Sequence, residues 1–277
     1  MALRTVPIAG ARVIALILLG ALAGCQSGEK ASQTAMHSKV ALTEQKNNIA
    51  SLSEVIKANP RDANALNLRG AAYGQAGQYQ KALADFNAAI STSPRYYQAY
   101  ANRALIYSRM KQPKKALADY NQALSIEPKY TTALVGRGTI YRLHNNHPAA
   151  VADFSKAIEV HPDAVAFFNR GLSRQALGRH GQAMDDFENT LGFRPNAPEV
   201  YHAKGISELA LQKYEKAYND FYKAARGRAN NYEAWALRGR AAEGMGQMKE
   251  AAQAYQRALQ INPTYQPARE GLDRVRS

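Results

Sequence analysis

A short run of alanine, aspartate and an aromatic residue returns along this chain at a nearly fixed interval. Ala84-Asp85-Phe86, Ala118-Asp119-Tyr120 and Ala152-Asp153-Phe154 open the series. Asp186-Phe187 and Asp220-Phe221 continue it, and Ala254-Tyr255 closes it. The steps are 34, 34, 33, 34 and 34 residues. A period of this size marks stacked supersecondary units, none of which buries its apolar face alone. Six units fit: 63–96, 97–130, 131–163, 164–197, 198–231 and 232–265.

Small residues recur in phase with the aromatics. The eighth position of each unit holds Gly70, Ala104, Gly138, Gly171, Gly205 and Gly239. The twentieth holds Ala82, Ala116, Ala150, Ala183, Ala217 and Ala251. The aromatic twenty-fourth is Phe86, Tyr120, Phe154, Phe187, Phe221 and Tyr255, and the twenty-seventh is alanine except for Thr190. Small side chains let two helices approach closely while the aromatic fills the gap between neighbours. Pro94, Pro128, Pro162, Pro195 and Pro263 close their units, since proline restricts the preceding residue and lacks a donor. Ala229 stands where the fifth unit would have its proline. This pattern resembles the tetratricopeptide repeat (TPR) family. The resemblance implies an all-α, right-handed TPR α-solenoid of six helix-turn-helix repeats over 61–265. Residues 43–60, with Ile49, Leu52, Val55 and Ile56, are expected to form an N-terminal capping helix like an orphan second helix. Residues 266–277 are expected to form a C-terminal capping helix with Leu272 and Val275 facing in.

One departure from the family pattern is systematic. The seventh position, often leucine in TPRs, is basic throughout: Arg69, Arg103, Arg137, Arg170, Lys204 and Arg238. Sixteen residues on stand Asp85, Asp119, Asp153, Asp186 and Asp220, with Ala254 the exception. An Arg/Lys–Asp brace within each of the first five hairpins is the stronger reading. A basic stripe for an anionic ligand is the alternative. Such pairs fix geometry more surely than they add net stability.

Ahead of the repeats, Arg4 and Arg12 precede an apolar or small run from Val13 to Ala23. At about 1.5 Å per residue the run is too short to cross a bilayer. A positive start, a short apolar middle and small residues at the end read as a secretory signal over 1–24. Ala21-Leu22-Ala23 fits an ordinary cleavage site, whereas Leu22-Ala23-Gly24-Cys25 resembles the lipobox of bacterial lipoproteins. Cys25 is the chain's single cysteine, so no internal disulfide and no multi-cysteine zinc site is available. The lipobox resemblance implies lipidation of Cys25 and a membrane anchor. Gln26 rather than aspartate then implies the outer membrane, facing the periplasm. Residues 25–42 read as a small, polar tether.

Signs of catalysis are weak. No phosphate loop and no nucleophile elbow is present. His144-Asn145-Asn146-His147 has metal-like spacing but falls on an expected turn, as do His161 and His180. The reading is no enzyme, no cofactor and no metal. The formal net charge of +14 would raise the question of nucleic acid in a cytosolic protein. Export removes that partner, and the remaining charge fits either anionic envelope components or a generally basic proteome.

The concave groove is the candidate site. In the resembled family the first helix of each hairpin lines it. Carried over, its residues include Asn67, Asn102, Arg109, Arg142, Asn169, Gln175, His202 and Arg240, with Leu105, Leu172 and Ile206 among them. The asparagines offer both donor and acceptor to a peptide backbone. Plain solvated groove positions are the alternative. The architecture resembles NlpI-type TPR lipoproteins, which implies a scaffold recruiting envelope proteins such as cell-wall enzymes or proteases. It also resembles pilotin lipoproteins, which implies pilus or secretin assembly. The sequence sets neither partner nor oligomeric state.

Overall fold

The computed structural model describes residues 46–228 and 230–276. The leader, Cys25 and the tether, along with Ala229, lie outside the described residues. Every regular element among the described residues is a helix. Helix α1 covers residues 46–58. Six hairpins follow: α2 (Ala63–Gln75) with α3 (Tyr79–Thr92), α4 (Tyr97–Arg109) with α5 (Pro113–Ile126), and α6 (Thr131–Leu143) with α7 (His147–Val160). Then come α8 (Ala164–Ala176) with α9 (His180–Phe193), α10 (Pro198–Ala210) with α11 (Tyr214–Arg226), and α12 (Tyr232–Gly244) with α13 (Met248–Ile261). Helix α14 (Gln266–Arg276) closes the array. The fold is a TPR solenoid.

Contacts between helices define its two faces. The even-numbered helices from α2 to α14 each touch the next even-numbered helix. No two of α3, α5, α7, α9, α11 and α13 touch. A stack whose first helices stay in contact while its second helices splay apart curves toward the first helices, so these line the concave side.

The repeated small residues sit where hairpin helices meet. Ala82, Ala116, Ala150, Ala183, Ala217 and Ala251 are all fully buried. A methyl group placed on Gly171 would come within 2.7 Å of the Phe187 ring, and the same approach recurs at Gly70, Gly138, Gly205 and Gly239. The second repeat carries Ala104 instead, and Tyr120 presses on Gly136 of the next repeat.

Each hairpin turns through one residue with positive φ: Gly77, Lys111, Asn145, Gly178, Gln212 and Gly246. The His144–His147 segment is such a turn, in which Asn145 takes φ 60° and Asn146 caps α7 by accepting from the Ala149 amide. Asp62 and Asp163 cap α2 and α8 in the same manner. Prolines follow two residues after α3, α5, α7, α9 and α13. Helix α11 ends instead at Gly227, where a methyl group would strike the Pro198 ring.

Both ends are covered. Ile56 of α1 packs with Ala65, Leu66, Ala89 and Ala99, whereas Val55 is 47% exposed and faces out rather than in. At the other end Leu272 is buried in a cluster with Tyr255 and Ala258, and Val275 packs against it. Among the described residues no helix is long and apolar enough to cross a membrane.

Candidate functional site

Each concave helix offers the groove one stripe at helical spacing. On α4 it runs Gln98, Asn102, Leu105, Arg109, and on α8 Val165, Asn169, Leu172, Ala176. The other face of each helix is buried against its hairpin partner, so aliphatic residues in the stripe stay open to solvent. Leu68, Leu105, Leu143 and Val165 are 48%, 41%, 64% and 54% exposed.

The polar residues expected to meet a peptide are partly committed to the solenoid itself. Asn67 is only 6% exposed and accepts from Asn102 Nδ2 at 2.9 Å. Its own amide donates to Tyr96 Oη, which donates in turn to Asn64. Arg109 Nη1 donates to the Gly74 carbonyl at 3.1 Å, from α4 back to α2. Gln175 Nε2 reaches forward to the Ala203 carbonyl and Ser207 Oγ of α10, both at 2.7 Å. Asn169 Nδ2 donates to Val165 of its own helix at 2.8 Å. The physical reason is proximity: neighbouring concave helices stand close enough for a side chain to span them. Asn67, Asn102 and Gln175 therefore act first as ties between repeats.

The remaining three expected residues differ. Arg142 is half-buried, its Nε finds no hydrogen-bond partner, and burial holds its pKa below the ordinary arginine value. His202 lies edge-on to Phe221, with Nδ1 unpartnered and its pKa lowered by burial. It lines a cavity of about 380 Å³ with Glu199, Arg228, Asn231, Tyr232 and Glu233. Arg240 lies in a larger cavity of about 880 Å³ at the C-terminal end of the groove.

That larger cavity was not legible from repeat positions alone, because α14 supplies one wall. Ile206, Leu209 and Leu237 with Tyr214 and Tyr265 give it an apolar lining, and Glu243, Glu270 and Arg274 add charge. Glu243 is already engaged, accepting from Tyr255 Oη and from Arg274 at 3.1–3.2 Å. The Arg240 side chain makes no hydrogen bond or ion pair among the described residues. The site therefore joins an apolar pocket to one available cation, and no group of three acidic, histidine or cysteine side chains among the described residues could hold a metal.

Behind the groove runs a ladder of ion pairs. Arg69, Arg103 and Arg137 each donate Nε and Nη2 to both oxygens of Asp85, Asp119 and Asp153 at 2.7–2.8 Å. These forked bonds raise the pKa of all three arginines. Arg170 pairs with Asp186 at 2.7 Å, and Arg174 joins from the other side at 2.8 Å. Each arginine also reaches back to the preceding repeat with Nη1: Arg69 to Ser53, Arg103 to Asn87, Arg137 to Asn121 and Arg170 to Ser155. The braces thus link repeats as well as helices. The recurrence of Asn or Ser sixteen residues before Arg69, Arg103 and Arg137, and fifteen before Arg170, was the available signal. Ser53 fits the same register, which makes α1 a second helix in phase with the array.

Repeat five keeps its brace through a lysine, and repeat six breaks the ladder. Lys204 lies 3.3 Å from Asp220, 3.4 Å from Glu188 and 3.5 Å from Glu208. Where Ala254 replaces the acid, Arg238 donates to Tyr218 Oη at 2.6 Å and packs over the rings of Tyr218, Tyr222 and Trp235.

The tetratricopeptide repeat family model matches residues 63–96, 97–130 and 232–265. Comparison with curated proteins by sequence gives no match. Among solved structures, YrrB, a TPR protein with an unusual peptide-binding site, is similar at 20% identity and a TM-score of 0.65, over 68% of this chain and 97% of its own. Pseudomonas aeruginosa PilF is similar at 22% identity and a TM-score of 0.66, over 78% of this chain and 100% of its own. PilW, a widely conserved type IV pilus biogenesis factor, is similar at 23% identity and a TM-score of 0.60, over 78% of this chain and 98% of its own. Three of the six stacked hairpins match the tetratricopeptide repeat model, and the fold that the hairpins build is a TPR solenoid, an architecture suited to a scaffold for protein–protein interaction.

Proposed function

We propose that this chain is a lipid-anchored scaffold at the periplasmic face of the outer membrane, holding envelope proteins in its concave groove. The observation that carries the reading is the exposed aliphatic stripe of the concave helices, which leads into the cavity of about 880 Å³ closed by α14. Exposed apolar side chains lining a concave surface gain by being covered. The lipobox-like Leu22-Ala23-Gly24-Cys25 supplies the anchor in this reading. Several acyl chains, at about 0.8 kcal/mol per buried CH₂, hold firmly. The histidines at 144, 147 and 161 belong to turns or helix ends.

A second reading, assembly of a pilus or secretin, draws on the likeness to PilW over 78% of this chain. Capture from detergent-solubilised envelope separates the two, with secretin subunits dominating in one case and cell-wall enzymes or proteases in the other.

The anchor is tested by Cys25→Ala. The variant is expected in the soluble periplasmic fraction, and the native chain in the membrane with radiolabelled palmitate incorporated. Failure of the native chain to take up palmitate removes the anchor from the account.

A further inference from the structure

The concave helices of the first four repeats, α2, α4, α6 and α8, contain no aspartate or glutamate. They carry seven arginines, and five are ion-paired with four aspartates: Arg69, Arg103, Arg137 and Arg170 in the ladder, with Arg174 sharing Asp186. Two remain, Arg109 and Arg142, in the last turns of the adjacent helices α4 and α6. Arg109 has one carbonyl partner and no carboxylate, and the half-buried Arg142 has an Nε with no acceptor. A cation at a helix C-terminus is favoured by the helix dipole. That accounts for the location but leaves guanidinium N–H groups without acceptors, which is costly where water is excluded.

Acidic groups stand on the opposite lip. Asp62 and Asp163 cap α2 and α8, and Glu199 and Glu233 lie in the first turns of α10 and α12. Glu199 is itself paired with Arg194 and Arg228, so the charge that the concave helices leave uncompensated is that of Arg109 and Arg142, and aliphatic Leu105 and Val165 on the same helices are 41% and 54% exposed.

On the reading that the groove holds a partner segment, we infer that this segment is acidic and aliphatic: its carboxylates meet Arg109 and Arg142 while its aliphatic side chains cover the exposed stripe. Neighbouring packed helices are about 8–10 Å apart. An extended segment of polyproline-II type advances about 9 Å in three residues. Acidic residues three apart therefore meet successive repeats on one side. Forked guanidinium–carboxylate bonds would satisfy the N–H groups that the solenoid leaves open.

The test uses the full lipidated chain in detergent micelles and two synthetic twelve-residue peptides, four repeats of Glu-Leu-Ser and four of Lys-Leu-Ser, titrated by calorimetry. The glutamate peptide is expected to bind at least about tenfold more tightly. Arg109→Glu with Arg142→Glu is expected to weaken it by about tenfold or more, and Arg109→Gln with Arg142→Gln, a milder change, by a smaller factor in the same direction. A matched reversal on the convex side, Lys156→Glu with Arg257→Glu, controls for net charge and is expected to change binding by less than about threefold. If the lysine peptide binds as tightly or more tightly, the groove still holds segments but the acidic assignment falls. If neither peptide binds, or if both double reversals weaken binding equally, the assignment also falls.

Discussion

Glu208 stands at the position that Tyr73, Tyr107 and Tyr141 occupy in the first three repeats. The side chain is fully buried, neither carboxylate oxygen has a hydrogen-bond partner, and its nearest cation is Lys204 at 3.5 Å. Burial, then the neighbouring charge of Asp220, pushes its pKa up to about 7. An acid whose pKa is higher in the folded state than in the unfolded state favours folding at low pH. Its contribution is complete below about 4.5 and is lost as pH rises through about 7. Glu208→Gln keeps the shape and removes the charge. The variant is expected to melt at a higher temperature than the native chain at pH 8 and at a similar temperature at pH 4.5, as followed by circular dichroism. An equal shift at both pH values would show that the carboxylate is not the source.

The hairpin is the element whose geometry the ladder sets. In the second repeat Arg103 and Asp119 have side chains 18% and 10% exposed, with both partners in forked contact. Asp119→Ala leaves a largely buried guanidinium without its acid and is expected to cost about 2–4 kcal/mol in denaturant unfolding. Adding Arg103→Leu removes the stranded charge and is expected to recover much of that loss. Strictly additive losses would show that the two side chains are energetically independent.

The hairpin pattern was legible because few residue types fit where two helices nearly touch. Alanines at the twentieth position and glycines against Phe86, Phe154, Phe187 and Phe221 are local requirements with a fixed period. What was not legible depends on neighbours outside the period. The Asn67–Asn102 bond crosses repeats and needs asparagine at two different register positions. The terminal cavity needs α14, which belongs to no repeat. Arg238 among its aromatic rings arises where Ala254 interrupts the rule that the other repeats obey.

Across the whole molecule, ties along the concave side hold successive first helices together. Asn102 to Asn67, Arg109 to Gly74 and Gln175 to Ser207 each join adjacent repeats on this face. The convex side has no contacts between its helices α3 to α13. The groove is thus the better-fixed surface, and a partner held there, as proposed, would need little further ordering of it, which favours affinity. The most direct measurement is partner capture from detergent-solubilised envelope with two double variants of matched charge change. Leu105→Asp with Ile206→Asp places charge on the floor of the groove; Gln122→Asp with Ala152→Asp places it on the exposed convex side. The account predicts at least about a tenfold loss of captured partner for the groove variant and native capture for the convex one, with both folded. Capture lost by the convex variant and retained by the groove variant would contradict it and move the binding surface to the outer helices.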